Sequence, residues 1–451
     1  MGRSHGSGDM TQGVIWRQLL SFFFPILLGT LFQQLYNTAD AIVVGRFVGK
    51  EALASVGGST AQIYNLLIGF FVGLSSGASV IISQFFGAND ERGVHRALHT
   101  AMALSVAAGL VMTALGLIFA PGLLRLMNTP EDILEHSTDY LRIVFLAMVP
   151  AMIYNVGSGV LRALGDSRRP LMFLIASCLS NVALDIVFVI VFGMGVSGVA
   201  IATSLAQCLS AVLVLATLAG GHAGAKLVWR EIRFDGRILR DTLRIGLPSG
   251  LQSVLYTVSN MIITSTINGF GTSTVAAWVS LGKVDGMFWM INNAFGIAIM
   301  TFVGQNYGAR QYERIRKGLV TCAGMSTLAA LAFSAFFFAL HRQLFGLFTN
   351  DPEVLAIAAV MMGAITPWYF LFVPVEMISG ALRGMGNTLI PTAITAIGVC
   401  LFRVMWMYVV VPGWHTVYAI SISYPITWAI TAAAFIVYYR FERKKLVVRA
   451  A

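Results

Sequence analysis

Six ionisable side chains stand inside long apolar stretches of this chain: Asp40, Asp185, Lys283, Asp285, Glu376 and Arg403. A charge placed in hydrocarbon is costly and must be offset by a partner, a proton or an ion, so each marks a place to look for function. Asp40 follows Gln33, Tyr36 and Asn37 at spacings of seven, four and three, which on a helix put the four on one polar face. Asn181 and Asp185 are four apart and share a face of their own helix. Thr203 lies shortly after the Gly195-Val196-Ser197-Gly198 turn. Carboxylates with amide and hydroxyl oxygens at membrane depth could hold a proton or a small hard cation such as sodium. Two plainer readings stay open: Asp40 near the outer interface, and Asn181 with Asp185 bonding helix to helix without transport.

The other four charges lie in the second half. Lys283 and Asp285 are two apart and cannot share a helix face, so each should pair with another group, Glu376 and Arg403 being candidates. Structural pairing and a role with substrate or a second proton both fit; Glu376 is the best placed to recognise a cationic ligand. The 20 methionines and 30 phenylalanines would as a group suit a deformable pocket for greasy ligands, although each alone reads as packing.

The elements that hold these residues follow from composition. Of 451 residues, 57% are hydrophobic and 11% charged, against roughly a quarter charged in soluble domains. This excludes disorder and argues against a soluble enzyme. Twelve apolar runs of the length a bilayer-crossing helix needs fall at 16–44, 53–86, 97–120, 140–161, 170–193, 197–219, 245–268, 275–304, 318–345, 355–382, 389–411 and 415–439. An even number puts both termini on one side. If that side is the cytoplasm, inner breaks and tails hold 23 of the 30 basic residues, including Arg3, Arg92, Arg162, Arg244, Arg314, Arg383, Lys444, Lys445 and Arg449. The outer break 121–139 is instead acidic, as the positive-inside rule requires. The net charge of +10 therefore reports orientation; no basic patch with interleaved aromatics points to nucleic acid. Residues 1–13 have no apolar core before a cleavage site and read as a short tail, not a signal peptide.

The sequence is written twice. Leu161-Arg162-Ala163-Leu164-Gly165-Asp166 returns as Leu382-Arg383-Gly384-Met385-Gly386-Asn387, and Gln84-Phe85-Phe86-Gly87-Ala88 as Gln305-Asn306-Tyr307-Gly308-Ala309, both at an offset of 221. Asn128-Thr129-Pro130-Glu131 matches Asn350-Asp351-Pro352-Glu353 at 222, and Pro25 matches Pro248 at 223. The expected architecture is an all-α integral membrane protein of two pseudo-symmetric six-helix bundles in the same orientation. Its division is a tail (1–13), a first lobe (14–219), a cytoplasmic linker (220–244), a second lobe (245–440) and a basic tail (441–451). At matching offsets Asp40 corresponds to Ile263 and Asp185 to Trp406, so the repeat itself does not require the carboxylates, and the ion site is expected in the first lobe.

Enzyme and metal motifs are absent. Gly45-Arg46-Phe47-Val48-Gly49-Lys50-Glu51 has one residue too few between its glycines for a phosphate loop and no Ser or Thr after the lysine. Uphill work must then draw on an ion gradient. Cys178, Cys208, Cys322 and Cys400 lie in apolar runs without CxxC spacing and behave as small hydrophobes. Gly69, Gly73 and Gly77 form a small-residue ladder for close helix approach, and Pro25, Pro150, Pro248, Pro367 and Pro374 are tolerated kinks.

Gln33 to Asp40, Gln84 to Ala88, the doubled Leu-Arg-x-x-Gly-(Asp/Asn) segments, and Asn181 to Asp185 followed by Gly198 to Thr203 together carry a resemblance. The chain is similar, over 14–440, to multidrug and toxic compound extrusion (MATE) transporters of the prokaryotic branch related to DNA-damage-inducible exporters. That resemblance implies a V-shaped pair of bundles and an antiporter that exports amphipathic, mostly cationic drug-like compounds in exchange for H+ or Na+ by alternating access. It implies a cation-coupling site at Asp40, Asn181, Asp185 and Thr203, with Asn155 as a weaker match, and no cofactor or resident metal beyond Na+ at that site. Some similar transporters carry an acid on the seventh helix; Ile245 to Asn268 has none, which sets aside a second-lobe sodium site of that kind. A multi-pass monomer in a bacterial or archaeal cytoplasmic membrane, both termini inside, is expected, its partners being lipid and small organic molecules. The alternative function is a flippase for lipid-linked precursors, which would call for a strongly cationic cavity.

Overall fold

The computed structural model describes residues 8–127, 129–221 and 225–450. Arg3 and the rest of 1–7, Asn128 of the third repeat anchor, linker residues 222–224, Ala451 and the side chains of Lys444, Lys445 and Arg449 lie outside the described residues. The first half holds α1 (Ile15–Phe47), α2 (Lys50–Gly57), α3 (Ser59–Gly87), α4 (Glu91–Leu126), α5 (Glu131–Leu146), α6 (Met148–Ala163), α7 (Arg168–Asp185) and α8 (Gly195–Ala219). The second holds α9 (Gly236–Asn268), α10 (Thr272–Gly308), α11 (Tyr312–Gly346), α12 (Pro352–Ile365), α13 (Val373–Gly384), α14 (Leu389–Thr395), α15 (Phe402–Val409) and α16 (Val417–Ala450).

Among the described residues ten helices are long and apolar enough to span a bilayer, or eleven when α5 and α6, bent by 51°, are taken as one span. The twelfth is α9, 33 residues long, whose Ser, Thr, Gln and Asn content lowers its hydropathy. Part of the outer break 121–139 is in fact helical: Glu131 and Asp132 open α5, where acids meet the positive end of the helix dipole. Pro150, in the first turn of α6, has no N–H to bond back into α5, so the span bends there. The second half breaks at the matching place, where a 3-10 segment, Thr366–Leu371, stands between α12 and α13 with Pro367 and Pro374 at the junctions.

The repeat extends to single backbone angles. Asn89 and Arg310, 221 residues apart, both have positive φ, 55° and 57°. Gly165 and Gly386 do too, at 85° and 86°. The N–H of each of these glycines bonds back to the carbonyl of Arg162 or Arg383 at 2.8 Å, an αL stop that glycine enters without steric cost.

Two compact units result, one of Phe24–Gly250 with the residues up to Asp9, the other of Met10–Phe23 with Leu251 onward. This differs from the lobes expected at 14–219 and 245–440, because the opening turns of α1 belong to the second unit and those of α9 to the first. In the first unit α9 meets α3 glycine on glycine: a Cβ at Gly77 would lie 2.3 Å from the Thr242 carbonyl oxygen, and one at Gly250 2.6 Å from that of Phe70. Gly73, Gly77, Gly246 and Gly250 thus form a paired small-xxx-small contact. In the second unit Phe23, the counterpart of Gly246, stacks on Phe295 at 4.0 Å between centroids. The linker is no free tether: Ala225, Leu227 and Ile238 are buried in the core of the first unit with Leu98 and Leu218. His99 Nε2 accepts from the Val228 N–H at 3.0 Å, and Asp235 caps α9 by accepting from the N–H groups of Arg237 and Ile238.

Candidate functional site

In the first unit α1, α7 and α8 bring together Asp40, Asn181, Asp185 and Thr203, all buried. With its amide nitrogen toward α1, Asn181 donates to Asp40 Oδ1 at 2.7 Å while its oxygen accepts from the Thr203 N–H at 3.3 Å. The Asp185 carboxyl lies beside that of Asp40, with the Tyr140 hydroxyl of α5 nearby. Ser177 Oγ, one turn from Asn181, donates to the Ala206 carbonyl at 2.8 Å and ties α7 to α8.

One side of this cluster is sealed by valine. Val44, Val189 and Val199 lie four residues from Asp40, Asp185 and Thr203 on their respective helices and are at most 6% exposed, part of one apolar cluster with Val43, Ala52 and Val196. Asp185 ends α7, and the next six residues, Ile186–Val191, form a π-helix, an insertion often found at functional positions. Among the described residues, both oxygens of Asp185, Thr203 Oγ1 and the Tyr36 hydroxyl are buried without a hydrogen bond of good geometry, although Tyr36 lies close to Thr203 and Asp185 to Asp40. Buried polar groups are almost always satisfied, and this donor set of carboxylate, hydroxyl and amide oxygens suits a proton or a small hard cation.

The polar face expected on α1 divides. Tyr36 and Asp40 turn into the cluster, whereas Gln33 and Asn37 are exposed. Asn155 donates to the Ala151 carbonyl of its own helix at 2.9 Å and makes no bond to the cluster among the described residues. Tyr140 was not anticipated; it follows the acidic 131–139 stretch, which reads in sequence as a break. At the matching places of the second unit, Ile263 is fully buried and Trp406 donates to the Ala419 carbonyl at 2.9 Å.

The second unit instead contains a cavity of about 520 Å3 walled by aromatic rings, among them Tyr256, Trp278, Trp289, Tyr424 and Trp428, and by Asp285, Glu376 and Arg403. The pairing expected among the charges is corrected here. Glu376 bonds Arg383, two turns along α13, at 3.0 Å, and Asp285 accepts from Trp289 Nε1 at 2.6 Å and from the Tyr369 hydroxyl. Lys283 is exposed and does not line the cavity. Arg403 donates to Thr427 Oγ1 at 3.1 Å and lies over the Tyr424 ring at 4.0 Å. Arg383 and Tyr369 were missed, although the Glu376 to Arg383 spacing of seven is itself a helical signal.

The MatE family profile matches twice, over residues 25–187 and 248–409. The chain is 29% identical to the Bacillus subtilis protein named probable multidrug resistance protein YoeA, covering 96% of this chain and 95% of that one. It is 26% identical to a protein named FAD transporter from Shewanella oneidensis, over 76% of each. A crystal structure described as MATE in the bent conformation superposes with a TM-score of 0.93 at 23% identity, covering 99% of this chain and all of that one, and so shares the fold. Twelve membrane helices in two repeated units, matched by one family profile in each half, establish that the chain belongs to the MatE family, the MATE transporters, and is a multi-pass membrane transporter and not an enzyme.

Proposed function

We propose that this protein is a secondary active antiporter that exports amphipathic, mostly cationic small molecules in exchange for H+ or Na+ by alternating access. It acts in a prokaryotic cytoplasmic membrane, as a monomer with both termini inside. The observation that carries this reading is the closed polar cluster of the first unit, where two carboxylates lie side by side among orphaned oxygens. A proton or sodium entering there would satisfy Asp185 and Thr203 and alter the packing of α1 against α7 and α8. Exchange follows if the loaded and empty clusters favour different states with different affinity for cargo. Relatives named for multidrug resistance and, in one case, for FAD transport support a small-molecule cargo. A lipid-linked precursor would need a strongly cationic cavity, whereas Arg403 stands there with two carboxylates.

The test is uptake of a fluorescent organic cation into inside-out proteoliposomes under an imposed pH or sodium gradient. Uptake driven by one ion in wild type and reduced to the ungraded background in the Asp40→Asn, Asp185→Asn double variant is the expected result. Undiminished gradient-driven uptake by the double variant would remove the coupling assignment.

A further inference from the structure

We infer that the cavity of the second unit holds a subsite for the carboxylate of an aromatic solute, formed by the Arg403 guanidinium. The inference rests on reading the chain as a small-molecule transporter and names a chemical group that one of its sites recognises.

Arg403 is 3% exposed. A buried charge is tolerated when it is paired, yet among the described residues no carboxylate forms an ion pair with it. The two acids of the cavity wall are engaged elsewhere, Glu376 by Arg383 and Asp285 by Trp289 and Tyr369. Of the five donors of its guanidinium, one reaches Thr427, and Nε is buried with no partner. Tyr424 covers one face of the group and Arg403 lines the cavity, so a guest there would meet the guanidinium at its edge. A carboxylate matches such an edge with two parallel charge-assisted bonds.

The surrounding wall fits an aromatic body attached to that acid. Trp278, Trp289 and Trp428 line the same cavity; Trp428 is fully buried and braces Trp289 and Tyr424 edge to face, so the part-exposed rings of Trp278 and Trp289 are the ones a planar guest would stack on. Arg403 is also no demand of the repeated fold: at an offset of 221 its counterpart is Val182. Arg403 lies two residues beyond the π-helical turn Ala396–Leu401.

The test uses the full-length protein in nanodiscs, with quenching of its tryptophan emission by 9-anthracenecarboxylate and by the uncharged 9-anthracenecarboxamide. Wild type should bind the carboxylate more tightly by about tenfold or more, the scale of a hydrogen bond to a charged group. Arg403→Gln should bring the two affinities to within about twofold, and Arg403→Lys, a charge without the fork, should fall between. The ratio is the readout, because a variant that merely loosens the fold weakens both probes alike. Equal affinities in wild type, no binding of either probe, or an unchanged ratio in Arg403→Gln would overturn the subsite, and the wild-type comparison needs no variant to fold. No gradient is applied, so loss of this preference beside intact ion-driven cation uptake refutes the subsite alone. The reverse pattern refutes the coupling reading alone.

Discussion

The two units are built from one repeat and differ most at the depth where charge is buried. In the first, carboxylates from α1 and α7 share a small closed site against a valine layer, with oxygens left unsatisfied. In the second, Ile263 and Trp406 occupy the corresponding places, and the acids have moved to the wall of an aromatic cavity where each already has donors. A closed cluster of oxygens selects by size and charge; an open ring-lined cavity selects by shape and stacking. One scaffold is thus used twice, and a few positions set an oxygen-lined cluster in the first unit against a ring-lined cavity in the second.

That contrast can be broken by moving a carboxylate. Ile263→Asp plants an acid where Asp40 has its counterpart, but without the Asn181 and Thr203 partners. We expect a loss of about 3 kcal/mol or more in chemical unfolding, the cost of a buried unpaired polar group; a neutral effect would mean that the second unit retains a latent ion site. Next in size is the helix contact that differs between units. Gly77→Val should destabilise the first unit by about 1–3 kcal/mol through overpacking against the Thr242 backbone, while Phe23→Leu in the second unit, which keeps an apolar side chain there, should cost less. Trp406→Phe removes the bond to the Ala419 carbonyl and part of the ring that packs on Phe402, and should cost about 1–2 kcal/mol without changing the ion dependence of transport.

The smallest effect concerns Asp235. The N–H of Ile238, then that of Arg237, and the Arg96 and Arg237 charges hold its carboxyl below the ordinary range. A depressed folded value gives a contribution that is complete above the unfolded value, about 4, and is lost as pH falls through the folded one. Thermal unfolding of Asp235→Ala should therefore differ from wild type near neutral pH, and the difference should start to shrink only as pH falls below about 4.

Much of this was legible in the sequence because membranes penalise charge. Asp40, Asn181, Asp185 and Thr203 stand out on separate helices as polar groups in hydrocarbon, and the structure brings them together. The twofold repeat was equally plain, since four anchors recur in the same order at offsets of 221 to 223. Spacing along one helix could not tell which members of a polar face turn inward, so Gln33 and Asn37 were grouped with Tyr36 and Asp40. Tyr140 was hidden by the acids before it, which look like a break but begin a helix. Arg383 looked like one more inner-side base, when its partner Glu376 was two turns away. The exchange of opening helical turns between units leaves no local signal, because α1 and α9 are each continuous in sequence.

That exchange also crosses the boundary between the halves of the sequence. The turns of α9 that pack on Gly73 and Gly77 follow all six spans of the first half in sequence, so the core of the first unit includes residues that its own six spans do not supply. Met10–Phe23 precedes the first unit in sequence yet belongs with Leu251 onward. Each core is therefore completed by helical turns drawn from the other half of the repeat, and a half expressed alone would lack the turns that close it.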